Sequence, residues 1–119
     1  MITTEALQEL KNKFGPRFKE SLADKINFSR DKWLKLKFKA RRDKPPYSYL
    51  ADGIVEPTDT EEIQWLVRWA AQNEIFLIPR GGGSGVCGAA VPNYGGIVVD
   101  MSSFLNKIRG IDYKNENIW

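Results

Sequence analysis

Arg80-Gly81-Gly82-Gly83-Ser84-Gly85-Val86-Cys87-Gly88-Ala89 is the stretch of this chain whose residue types could do chemistry, with five glycines between positions 81 and 88. Glycine is required where backbone takes φ > 0 or approaches a ligand closely. Successive N–H groups freed of side chains can converge on an anion. Arg80 adds a fixed positive charge and Ser84 a hydroxyl donor, so a diphosphate suits the loop better than a neutral ligand.

Three other readings of the loop are weaker. Gly83-Ser84-Gly85-Val86-Cys87-Gly88 spells G-x-G-x-x-G, but a dinucleotide fingerprint must open a crossover helix, and Pro92, Gly95 and Gly96 intervene before the next apolar run. A P-loop requires a lysine and a following hydroxyl, and residues 81 to 92 contain no lysine. A ligand-free hairpin turn would need only two residues.

Composition excludes other chemistries. With no histidine and a single cysteine, Cys87, the chain lacks the means for a Ser/His/Asp or Cys/His pair, an internal disulfide or a multi-cysteine metal site. Cys87 itself is expected to be a small buried hydrophobe. No apolar run is long enough to span a membrane and no secretory signal is legible, so a soluble, cytoplasmic chain is expected. The net charge of +3 hides an asymmetry: residues 1 to 45 carry 13 Lys/Arg against 6 Asp/Glu, and residues 46 to 119 carry 5 against 9.

The elements that must position the loop follow from periodicity. Leu7, Leu10 and Phe14 predict a helix over 4 to 14, capped by Thr3 or Thr4 and stopped at Gly15-Pro16. Phe18, Leu22 and Ile26 predict a second helix behind Pro16. From Arg30 to Lys44 the sequence is basic, and Leu34, Leu36 and Phe38 alternate with lysines, a pattern open to strand or helix. Composition and charge change at Pro45-Pro46, which divides the chain into a basic, mainly helical region 1–45 and a second region 46–119.

In the second region Gly53 to Pro57 predicts a short strand. A helix follows, with Thr58/Glu61 or Asp59/Glu62 as capping pairs and Ile63, Leu66, Val67 and Ala70 as its apolar stripe. Asn73 closes it. Ile75 to Ile78 predicts a strand buried on both faces and ended by Pro79, which completes a βαβ unit. Gly96 to Asp100 predicts the next buried strand, Ser102 caps a turn around Phe104 and Leu105, and Ile108 to Ile111 begins a further strand. The apolar pair Ile118-Trp119 at the end suggests a strand cut short, hence a fragment of a longer protein. Trp65 and Trp69, four apart, are expected to pack in a core or interface.

Four segments in order, Ile54 to Ile63, Ile78 to Ser84, Gly88 to Pro92 and Gly95 to Ser102, resemble the vanillyl-alcohol oxidase / p-cresol methylhydroxylase (PCMH) type of FAD-binding domain. The likeness runs from about Tyr49 to Trp119 and not into residues 1 to 45. It is nearest the FAD-linked oxidase branch with D-lactate dehydrogenases, glycolate oxidase FAD subunits and alkyl-dihydroxyacetone-phosphate synthase. The resemblance implies an α+β fold in which a helical N-terminal arm precedes the first, βαβ-containing part of the FAD-binding domain. It implies that Arg80, Gly81, Gly82, Gly83 and Ser84 meet the FAD diphosphate, that Gly88 and Ala89 continue along the cofactor, and that Val91 and Pro92 approach the flavin side. Some members carry a histidine at the Ser84 position that bonds the flavin covalently, so here FAD would be non-covalent. Ser84 also replaces the threonine common in this branch while keeping the hydroxyl.

The implied function is that of an N-terminal fragment of an FAD-dependent 2-hydroxy-acid dehydrogenase or oxidase. The second FAD-binding part, the substrate domain and any catalytic base would then lie elsewhere, so the site in this chain is incomplete and the chain alone inactive. No residue here is assigned a catalytic role. The alternative is a truncated, non-catalytic flavin-domain module that serves in assembly. For the basic arm, a solvated or subunit-facing surface is the favoured reading. Peripheral membrane contact is the better functional alternative, and nucleic acid is disfavoured.

Overall fold

The computed structural model describes residues 2–36, 38 and 49–118. Its elements are α1 (Thr4–Phe14), a 3₁₀ turn (Gly15–Arg17), β1 (Phe18–Lys19), α2 (Leu22–Phe28), β2 (Gly53–Val55), α3 (Thr60–Gln72), β3 (Leu77–Arg80), β4 (Ile97–Asp100), β5 (Ile111–Asp112) and β6 (Asn117–Ile118). Helix and mixed sheet combine as the α+β expectation required. The change of composition at residues 45 and 46 lies outside the described residues, as does the basic run from 39 to 44. Of the ambiguous stretch before it, residues 34 to 36 are helical.

β4 is buried at every position, and a strand so apolar needs neighbours on both sides and layers on both faces. The sheet supplies them in the order β1-β2-β4-β3. β2 and β3 both run parallel to β4, with Ile54 and Ile78 opposite Val98. Strand alternation then sorts the side chains. Val55, Ile97 and Val99 face a layer built from Ala6, Leu10 and Phe14 of α1 and Leu66, Trp69 and Ala70 of α3. Ile54, Ile78 and Val98 face the other way, with Ala51 and with Phe28 from α2.

β3 is an edge strand, which corrects two expectations. Pro79 lies inside the strand instead of ending it, since an edge position does not demand its missing N–H. Phe76 is exposed, so the run from Ile75 to Ile78 is not buried on both faces.

The helix expected behind Pro16 also differs. Phe18 and Lys19 form a strand antiparallel to β2, with Phe18 opposite Val55, and α2 starts only at Leu22, capped by Ser21. Helical spacing of Phe18 with Leu22 was outcompeted by the unpaired edge of β2 and by a slot for the Phe18 ring. That slot exists because position 53 is glycine: a Cβ there would stand 2.5 Å from Phe18 Cε2.

At α3 the N-cap is Asp59, whose carboxylate accepts from Glu62 N–H at 2.8 Å, so the second capping pair prevails over Thr58/Glu61. Its buried stripe is Leu66, Trp69 and Ala70, whereas Val67 is exposed. Trp65 stacks on Trp69 at 6.2 Å and meets Phe14 edge-on, and Trp69 Nε1–H donates to Glu9. The helix ends through Asn73 and Glu74. Ile75 N–H reaches back to the Ala70 carbonyl, which puts Glu74 in the left-handed region at φ 54. Past β4, the turn at Ser102 is capped by Asp100, not by Ser102, and the strand expected from Ile108 begins at Ile111, where β5 pairs with β6.

Candidate functional site

β2, β3 and β4 are parallel, so their carboxyl ends share one edge of the sheet. The glycine loop leaves that edge from β3 and must return to the opposite end to start β4. β2 to β3 steps across the sheet over β4, and β3 to β4 steps back. Right-handed crossovers in opposite directions use opposite faces. α3 accordingly packs with Val55, Ile97 and Val99, while the loop is tied to residues 30 to 33 on the side where Phe28 packs.

Within the loop, Gly83 and Gly88 have φ of 64° and 83°, conformations that side chains disfavour. A Cβ at Gly83 would run into the Arg80 guanidinium, and one at Gly88 would stand 2.9 Å from Trp33 Cε3. Beside Gly81 and Gly82 the space is open, with nothing within 4 Å of a Cβ position. Among the described residues, no acceptor engages the N–H groups of Gly82, Gly83 and Ser84.

Arg80 lies beneath this cradle. Its guanidinium stacks over Phe28 at 5.3 Å, donates to the Gly81 carbonyl at 3.1 Å, and reaches the Arg30 carbonyl at 3.4 Å. Its Nε is buried without an acceptor among the described residues. The terminal guanidinium atoms lie against Gly83, and unengaged backbone donors next to a fixed positive charge are groups that an anion can satisfy. Burial pushes the Asp100 carboxyl up, but hydrogen bonds from Ser102 and Ser103, with the Arg80 charge, outweigh it and hold the group below the usual carboxylate range. Asp100 is thus a fixed anion at the end of β4.

The expected site residues divide accordingly. Gly81, Gly82 and Ser84 are exposed, and the Arg80 guanidinium lies against Gly83. The N–H of Gly88 is taken by the Asp31 carboxylate at 2.9 Å, and Ala89 beyond it is exposed. Val91 and Pro92 are buried. Cys87, expected to be buried, is exposed, because the loop turns its side chain outward next to the tied Gly88.

The residues missed from sequence are Arg30 to Trp33. Their basic, aromatic character drew attention to surface contacts, while Asp31, the acid within them, carried the structural signal. Lys32 and Lys35 are described; Lys37, Lys39 and Lys44 lie outside the described residues. No helix among the described residues is long and apolar enough to cross a membrane.

A parallel β-α-β core with a glycine-rich loop at the strand ends, and no helix opening from it among the described residues, has the architecture of the first part of a PCMH-type flavin domain. The family described as "FAD binding domain" matches residues 51–119, and the chain belongs to it, with FAD as the cofactor. Glycolate oxidase subunit GlcD of Bacillus subtilis (strain 168) is 28% identical over 97% of this chain and 22% of its own length. D-2-hydroxyglutarate dehydrogenase of Escherichia coli (strain K12) is 33% identical over 95% of this chain and 10% of its own length. The chain thus spans about a fifth or less of these relatives, and the likeness extends through residues 1 to 45, beyond the Tyr49–Trp119 stretch.

Among solved structures, an alkyldihydroxyacetonephosphate synthase matches with a TM-score of 0.77 at 29% identity, over 96% of this chain and 23% of that one. p-Cresol methylhydroxylase shares the fold, with a TM-score of 0.66 at 17% identity over 93% of this chain and 21% of that one.

Proposed function

We propose that this chain supplies the diphosphate-binding wall of an FAD-dependent oxidoreductase acting on a small 2-hydroxy acid. The second wall of the cofactor cleft and the substrate-contacting residues come from the remainder of the FAD domain and from a substrate domain. The observation that carries this reading is the cradle itself: unengaged N–H groups at Gly82, Gly83 and Ser84 above the Arg80 guanidinium with its unsatisfied Nε. Relatives named for glycolate, D-lactate and D-2-hydroxyglutarate have a 2-hydroxy acid in common, which supports the substrate class.

FAD, when bound, supplies the two-electron chemistry. Arg80 and the backbone of Gly81 to Ser84 would hold its diphosphate, and Ser84 offers a hydroxyl donor. The chain has no histidine, so a histidine base for the proton of the substrate hydroxyl would come from outside these residues. The flavin is held without a covalent bond at Ser84. With one wall present, the isolated chain is expected to lose FAD on gel filtration yet bind it weakly. Titration of the ¹⁵N-labelled chain with millimolar FAD is expected to shift the amides of Gly82, Gly83 and Ser84 first. Absence of shifts, or shifts scattered away from the loop, would overturn the reading.

A further inference from the structure

The glycine loop is shaped by four consecutive residues from the N-terminal segment. The Arg30 carbonyl accepts from Arg80 Nη2 at 3.4 Å. Asp31 Oδ2 accepts from Gly88 N–H at 2.9 Å, while Oδ1 accepts from Trp33 N–H at 2.8 Å. Lys32 N–H donates to the Gly85 carbonyl at 2.8 Å. The Trp33 ring covers Gly88 so closely that no Cβ fits between them. Asp31 is only 9% exposed, so its contacts compete little with water.

From this geometry we propose that Asp31 is a positioning residue for cofactor binding. It locks the far end of the glycine loop through Gly88, so that Gly82 to Ser84 are already arranged when the diphosphate arrives. The lock works through both carboxylate oxygens at once. One oxygen fixes the turn into Trp33, which brings that ring onto Gly88, and the other holds the Gly88 amide. Gly88 therefore serves the cofactor from behind the cradle, through its φ of 83° and its N–H to Asp31. Glycine loses more conformational freedom on ordering than any other residue, so a loop with five glycines is costly to order. Ordering it in advance lowers what cofactor binding must overcome.

The inference rests on the diphosphate reading above, and Asp31→Asn separates the two. Asn keeps the size of the side chain but offers one acceptor oxygen for two N–H groups. In the full 119-residue chain, hydrogen exchange at the Gly88 amide is expected to accelerate about tenfold or more. Exchange at Val98 and Val99 of β4 should stay unchanged. In the same variant the apparent Kd for FAD, read from the Gly82 to Ser84 amide shifts, should rise about tenfold because the loop must order on binding. Unchanged Gly88 exchange, or faster exchange with undiminished FAD affinity, overturns the positioning role. So does uniform loss of protection including β4, which would make Asp31 a general stability residue.

A wild-type chain that shows no FAD shifts sinks the cradle reading and takes this inference with it. Wild-type shifts that Asp31→Asn leaves intact sink the inference alone. Where the Asn variant fails to fold, Trp33→Leu carries the test, since uncovering Gly88 must weaken the same lock and lower FAD affinity with β4 still protected.

Discussion

Arg17→Met is the sharpest test of how the N-terminal segment is joined to the flavin-binding core. Arg17 makes a two-pronged pair with Glu62, each guanidinium nitrogen 2.6 Å from a carboxylate oxygen, and also donates to the Glu56 carbonyl at 3.0 Å. The pair joins the entry of β1 to the first turn of α3. The hydrogen bonds from Arg17 are the largest cause holding the Glu62 carboxyl at about 2, against its ordinary 4.5, with Thr58 N–H assisting against the opposing effect of burial. At about 1.4 kcal/mol per pKa unit that depression corresponds to about 3 kcal/mol. Both side chains keep a solvent-facing edge, 26% exposed for Arg17 and 14% for Glu62. Screening there, together with the part of the depression that Thr58 supplies and keeps, reduces the expected loss to about 2 kcal/mol or less.

Because the folded-state pKa is depressed, this stability is complete above about 4.5, declines as pH falls, and is gone below about 2. Urea unfolding followed by tryptophan fluorescence should therefore find Arg17→Met less stable by about 2 kcal/mol near neutral pH, with the gap narrowing below about pH 4. The Met stem retains packing over the Phe14 ring, which Arg17 now covers at 5.5 Å. A gap under about 0.5 kcal/mol, or one that does not change with pH, would refute the reasoning.

Three further perturbations follow from single contacts. Gly53→Ala places a methyl against the Phe18 ring and should cost about 1–3 kcal/mol in urea unfolding; a neutral result would mean β1 does not pack as described. Glu74→Gly relieves the left-handed φ of 54° at the α3 terminus and should raise stability by up to about 1 kcal/mol, seen as a higher Tm; a lower Tm would contradict the cap. Cys87, being exposed, should react with a thiol reagent at one equivalent in the native chain, and Cys87→Ser should change stability by less than about 0.5 kcal/mol. A thiol that reacts only after denaturation would restore the buried reading.

Sequence by itself determined what depends on near neighbours. The helix over 4 to 14, the helix after Asp59, the buried run Ile97 to Asp100 and the glycine loop were legible because periodicity, capping and backbone freedom act within about four residues. The diphosphate proposal draws on the same local information, the types Arg80, Gly81 to Gly83 and Ser84. Pairing partners were not. Phe18 kept helical spacing with Leu22 yet became a strand, because its partner Val55 lies far along the chain and its ring needed the missing Cβ of Gly53. Pro79 entered β3 because sheet order put that strand at an edge.

Only the tertiary structure decided what holds the loop. Asp31 and Gly88 are 57 positions apart, and neither residue type announces the other. A carboxylate inside a basic stretch reads as a surface charge until the fold buries it against an amide. Nor does a glycine announce that an indole from 55 positions earlier in the chain will lie against it, as Trp33 does at Gly88. Local physics set the loop's composition, and long-range packing from the N-terminal segment set its shape, because a glycine-rich backbone has too many conformations to choose one unaided.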